Sequence, residues 1–106
     1  MKRGEIWWVD FDPSVGSEIR KTRPAVIVSN DSANEHLLRL VVVPLTSNVT
    51  KVYPGECIVD TGLKPAKAMA DQIAAVDKSR VRSYMGSLSN EDMSVVANAI
   101  RVHLSL

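Results

Sequence analysis

The last stretch of the chain, SNEDMSVVANAIRVHLSL (89–106), sets Met93, Val96, Ala97, Ile100 and Leu104 at helical spacing. Up to Leu88, by contrast, the chain reads as a succession of short strands separated by polar breaks. That division constrains the fold more than any other feature. It predicts a mainly β protein, a small antiparallel barrel or curled sheet closed by one C-terminal helix. Ser89 with Asp92 three residues on resembles a capping box, and the first-turn acids Glu91 and Asp92 suit the helix dipole.

The strands can be placed in turn. EIWWVDF (5–11) is rich in aromatic and β-branched residues, and its alternation puts Glu5, Trp7, Val9 and Phe11 on one face, Ile6, Trp8 and Asp10 on the other. Two adjacent tryptophans therefore point in opposite directions. One can enter the core; the other needs a helix, a second subunit or a base to cover it, with core and dimer packing the preferred reading. DPSVGSEIRKT (12–22), with Pro13 and Gly16, is a long loop. PAVIVS (24–29) is the second strand, NDSANEH (30–36) a polar turn or short helix, and LLRLVVVPL (37–45) a third strand, apolar on both faces. GECIVD (55–60) and AMADQIAAV (68–76) read as two further strands, with RSYMGSL (82–88) a possible short sixth.

A chain of 106 residues is one domain by length. The single cysteine, Cys57, cannot form an internal disulfide and reads as a buried small hydrophobe in a reducing compartment. No apolar run reaches transmembrane length and the N-terminus lacks a signal-peptide core, so the expected location is the cytoplasm, with no membrane partner. The net charge of +1 argues for no polyanion by itself, but Arg20, Lys21 and Arg23 cluster, as do Lys78, Arg80 and Arg82. Such local clusters are able to bind phosphates in a protein neutral overall. His36 and His103 read as surface residues rather than a converging acid–base pair.

KTRPAVIVSND (21–31) opens an apolar strand with a charged group locked against a proline. If the second and third strands form an antiparallel hairpin, Arg23 comes to lie near Thr46 and Ser47. The loop after the first strand, with Ser17, Glu18 and Arg20, opens at the same end. One rim would then gather a guanidinium, two hydroxyls and a carboxylate. A planar fork of charged donors beside hydroxyls suits a phosphate.

RGEIWWVDFDPSVGSE, followed by KTRPAVIVSND, VVVPLTS and ADQI, resembles the MazF/PemK family of toxin–antitoxin ribonucleases in order and spacing. With the C-terminal helix these segments account for nearly the whole chain, so residues 1–106 are expected to form a single domain of this kind. The resemblance implies an SH3-like small barrel of the CcdB/PemK type, acting as a homodimer. It also implies sequence-selective cleavage of single-stranded RNA without metal or other cofactor, and a cognate antitoxin protein that blocks the site. By motif, Arg23 of TRP and Thr46 of PLTS match the family's catalytic pair, and Glu18 of GSE a loop carboxylate used in some members. Asp71 of ADQ matches an aspartate proposed as base in one branch, which carries an arginine two residues earlier where this chain has Met69. Ser17, Arg20, Lys21, Thr22, Ser47, Asp71 and Gln72 complete the expected substrate-contacting set; Gln72 serves either RNA or nearby backbone groups.

RNA carries its own nucleophile, the 2′-hydroxyl, whose attack on the adjacent phosphorus would yield a 2′,3′-cyclic phosphate and a 5′-hydroxyl. The protein must align that attack, neutralise phosphorane charge and assist the proton transfers. Arg23 suits the charge, whereas a guanidinium holds its proton too tightly to be a general base. Glu18 or Asp71 is the better candidate base, if either reaches the 2′-hydroxyl. Two other readings stand beside the nuclease. Gyrase-poisoning fold-mates of the CcdB type use a tryptophan near the end of the C-terminal helix, and this chain ends RVHLSL. A non-catalytic peptide-binding barrel needs an aromatic groove, and aromatics make up 5% of the residues.

Overall fold

Strand β1 (Glu5–Asp10) lies inside the sheet, paired antiparallel with β2 (Thr22–Ile27) on one side and β7 (Val81–Ser87) on the other. The computed structural model describes residues 1–106, and seven strands form one sheet in the order β4-β5-β3-β2-β1-β7, with β6 also on β3. The remaining strands are β3 (Arg39–Thr46), β4 (Glu56–Asp60), β5 (Pro65–Met69) and β6 (Ala74–Asp77). Helix α1 (Asp31–His36) bridges β2 and β3, and α2 (Asn90–Leu104) ends the chain. The ladder does not close between β4 and β7. The result is the expected mainly β fold, a small open barrel with a C-terminal helix.

Alternation along the strands divides the core in two. Ile6, Val26, Val43 and Leu45 pack on one face with Val96 and Ala99 of α2, while Val9, Ala25, Ile27 and Val42 pack on the other with Val76. β3 feeds both layers, which explains its unbroken apolar run. Helix α2 docks through Val96 and Ala99, flanked by Met93 and Ile100; Leu104, expected on this face, is 48% exposed, and in the last turn it is His103 that lies against the chain, at Gly55. Its cap is as expected in part. Ser89 Oγ accepts from the Asp92 amide at 3.1 Å, but the Asp92 carboxylate accepts from the Asp60 amide at 2.7 Å. That bond pins the helix start to the end of β4.

The segment AMADQIAAV is not one strand. A 3₁₀ turn at Ala70–Gln72 separates β5, which pairs the end of β3 at Leu45 and Thr46, from β6, which pairs its beginning at Arg39–Val42. Ala68 and Ala70 enter the first core layer, whereas Ala74 and Val76 lie with the second. Residues of the same parity thus change sides, which an uninterrupted strand does not permit. The turn rotates the chain so that both ends of β3 are covered.

Cys57 is buried beside α2, and burial, helped by the nearby Asp92 carboxylate, pushes its thiol up to about 11. The thiolate is the reactive form. Iodoacetamide at pH 7.5 should therefore label the folded protein about 100-fold more slowly than the urea-unfolded chain. Equal rates, read by mass spectrometry, would contradict the burial. No helix is long and apolar enough to cross a membrane.

Candidate active site

Continuing the Ala25–Pro44 and Val26–Val43 register by two places sets Arg23 opposite Thr46, at the open end of the β2–β3 ladder. A cleft of about 500 Å³ lies there. Lys21, Thr22 and Arg23 form one wall, and Thr46 and Ser47 continue it from the end of β3. The facing wall is the β4–β5 turn, through Thr61, Leu63 and Lys64, and Trp8, Leu45, Ala66 and Met85 supply the apolar lining. No carboxylate lines the cleft. Three cations and several hydroxyls around an apolar floor form a receptor for an anion attached to something flat or greasy.

The local chain explains how Arg23 is held. Its Nε donates to the Arg20 carbonyl at 3.0 Å, leaving both Nη groups without a protein partner. Lys21, two residues earlier, sits at φ 65°, in the left-handed region. For a non-glycine residue that backbone costs on the order of 1–2 kcal/mol. Two bonds hold it there: the Phe11 amide donates to the Lys21 carbonyl at 2.9 Å, and the Lys21 amide to Asp12 Oδ1 at 3.0 Å. The Thr46 hydroxyl accepts from the Asn48 amide at 3.3 Å, which couples it to the loop that follows.

The other nominated residues do not line this cleft. Glu18 Oε1 accepts from the Val15 amide at 2.7 Å, and the residue lines a separate recess with Gln72 and Arg80. Gln72 spans the β1–β2 loop, accepting from the Ile19 amide and donating to the Ser17 carbonyl, both at 3.4 Å. It therefore serves backbone groups here. Arg20 folds back on the Gly16 carbonyl at 2.8 Å. Asp71 is exposed in the 3₁₀ turn, its amide donating to the Gly55 carbonyl at 3.2 Å. Ser17, Glu18 and Arg20 organise their own loop, and that loop delivers Lys21 to Arg23.

Sequence reasoning missed Trp8, Leu63 and Lys64. Trp7 packs against the second core layer and meets Tyr84 edge-on at 5.5 Å, so Trp8 is the tryptophan left on the other face, 38% exposed in the cleft. The alternation was the available signal. Nothing local marked Lys64, which enters through the pairing of β4 with β5.

Known proteins resemble this chain along its whole length. The chain is 44% identical over 115 residues to the endoribonuclease MazF9 of Mycobacterium tuberculosis, covering 100% of this chain and 98% of that protein. It is 31% identical over 111 residues to the endoribonuclease MazF of Staphylococcus saprophyticus, covering 100% and 92%. Its fold matches the crystal structure of MazF from Deinococcus radiodurans with a TM-score of 0.89 at 23% identity, over 100% of this chain and 97% of that one. A mycobacterial endoribonuclease solved in complex with its cognate antitoxin matches with a TM-score of 0.83 at 24% identity, over 100% and 96%. The family described as "PemK-like, MazF-like toxin of type II toxin-antitoxin system" matches residues 2–104, and with relatives this similar along its whole length the chain belongs to that family.

Proposed function

We propose that this protein is the endoribonuclease toxin of a toxin–antitoxin pair, cutting single-stranded RNA at the Arg23–Thr46 cleft. The observation that carries the reading is the Arg23 guanidinium, anchored through Nε with both Nη groups free, opposite Thr46 in a cleft without a carboxylate. Such a site is poor at activating water but well suited to a phosphodiester that brings its own nucleophile. The 2′-oxygen attacks phosphorus, the P–O5′ bond breaks, and a 2′,3′-cyclic phosphate and a 5′-hydroxyl remain. The 2′ proton passes to a solvent water and a proton from solvent reaches the departing 5′-oxygen, so the step neither gains nor loses a proton. Arg23 holds two phosphorane oxygens in its fork, and the Thr46 hydroxyl donates to one of them. Trp8 and the apolar floor receive a base. Glu18 lines the separate recess with Gln72 and Arg80, on the side of the second core layer, and stands outside this step.

Two partners belong to this reading. A second copy of the chain is supported by the outer edge of β7, which pairs no strand and carries Tyr84 at 55% exposure. A cognate antitoxin is supported by the kinship with a family of toxin–antitoxin systems, and an acidic segment fits the cationic wall of Lys21, Arg23 and Lys64. The test is direct. Purified protein incubated with mixed single-stranded RNA in excess EDTA is expected to cut it at selected sequences, leaving 5′-hydroxyl and 2′,3′-cyclic phosphate ends. Intact RNA, or 5′-phosphate ends, would overturn the proposal.

A further inference from the structure

Residues 47–55 join β3 to β4 without regular structure, and Ser47 to Pro54 are exposed throughout. Val49, Val52 and Tyr53 show apolar surface there, Tyr53 at 59%. A loop of this kind needs a fastening if it is to keep one shape beside a reaction site. The fastening is a charged pair inside the sheet. Lys67, 9% exposed in the middle of β5, places Nζ 3.4 Å from Glu56 Oε2 and 3.0 Å from the Lys51 carbonyl. The other Glu56 oxygen accepts from the Tyr53 amide at 2.9 Å. One buried ion pair therefore grips the loop at two backbone positions.

The grip leads back to the reacting groups. Lys67 is the direct cross-strand partner of Thr46, so the fastening stands next to the cleft wall. From Lys51 the loop continues through Thr50, whose amide and hydroxyl donate to Asn48 Oδ1 at 3.2 and 2.8 Å. The Asn48 amide in turn donates to the Thr46 hydroxyl at 3.3 Å. A buried lysine is a costly choice for a β-strand, and an apolar pair would hold the sheet as well or better. What an apolar pair lacks is a donor for the Lys51 carbonyl and an acceptor for the Tyr53 amide.

We infer that Lys67, paired with Glu56, is a positioning residue that sets the 47–55 loop, and through it both the Thr46 hydroxyl and the choice of RNA sequence cut. The inference rests on the proposed ribonuclease reading. Loop backbone and side chains presented in one arrangement discriminate bases; the same loop released samples many arrangements and discriminates little.

The experiment uses the double variant K67M/E56L, because either single change strands a charge inside the sheet. Wild type and double variant are given the same RNA pool, with cut sites mapped by sequencing the 5′-hydroxyl ends. Thermal midpoints and hydrogen exchange of the loop amides are measured in parallel. Expected are a thermal midpoint within a few degrees of wild type, faster exchange at the Tyr53 amide, and a broadened set of cut sequences. The preferred site should lose about 10- to 100-fold in kcat/KM, the scale that a small misplacement of reacting groups produces. A folded double variant that cuts the same sequences in the same order with unchanged kcat/KM overturns the inference and leaves the ribonuclease reading standing. If the double variant proves unfolded, Glu56→Gln decides. It offers one acceptor oxygen where Glu56 uses two, so one of the two tethers is lost and the set of cut sequences should broaden; a folded Glu56→Gln protein that keeps the wild-type cut pattern overturns the inference. A wild-type protein that cuts no RNA overturns the ribonuclease reading, and the inference with it.

Discussion

Arg23→Ala lowers RNA cleavage by about 10²–10³-fold, the usual effect of removing one preorganised charged donor from a developing oxyanion. The fold should survive. The Arg23 side chain is half-buried at the ladder's open end, and its one protein bond, to the Arg20 carbonyl, is local. Arg23→Lys should recover little, because an ammonium cannot grip two phosphorane oxygens in a plane while a third nitrogen is tied to the backbone. The measurement is single-turnover cleavage of a mapped oligonucleotide, with a circular dichroism melt of each variant. An Arg23→Ala protein cutting at near wild-type rate would remove the guanidinium from the mechanism.

A single 2′-deoxy nucleotide immediately 5′ to the cut bond abolishes cleavage at that bond. The proposed chemistry takes its nucleophile from the substrate, so deleting one oxygen removes the reaction and not merely a contact. Binding should persist, since the phosphates and bases that Arg23, Lys64 and Trp8 are placed to meet are unchanged. The deoxy-substituted oligonucleotide is then a competitive inhibitor with a Ki close to the Kd of the parent RNA. Cutting at the substituted bond would mean that the protein activates water and would remove the 2′-hydroxyl from the mechanism.

The approach of Arg23 to Thr46 is legible from the sequence because it depends only on one antiparallel pairing of two consecutive strands, β2 and β3. The carboxylate is not. Glu18 was expected on the same rim because its loop opens there, but the loop turns on itself: Glu18 holds the Val15 amide, and Gln72 clips Ser17 and Ile19. A loop's side chains follow hydrogen bonds within it, and those have no periodicity to read. Trp8 lay between these cases. Alternation said that the two tryptophans diverge, but only the packing of Trp7 against Tyr84 showed which one remains for the cleft.

What the sequence by itself determined were the first four strands, the C-terminal helix with its Ser89 cap, the two apolar faces of β3 and the approach of Arg23 to Thr46. All of these arise from side-chain periodicity, which acts within a few residues, or from one antiparallel pairing between consecutive strands. Tertiary structure alone decided the break of AMADQIAAV at Ala70–Gln72, the entry of Lys64 into the cleft and the burial of Lys67 against Glu56. The physical reason is common to the three. Each depends on which strand finally lies beside which, and a lysine in PAKAM looks solvent-bound until β4 pairs with β5 and the 47–55 loop folds over it.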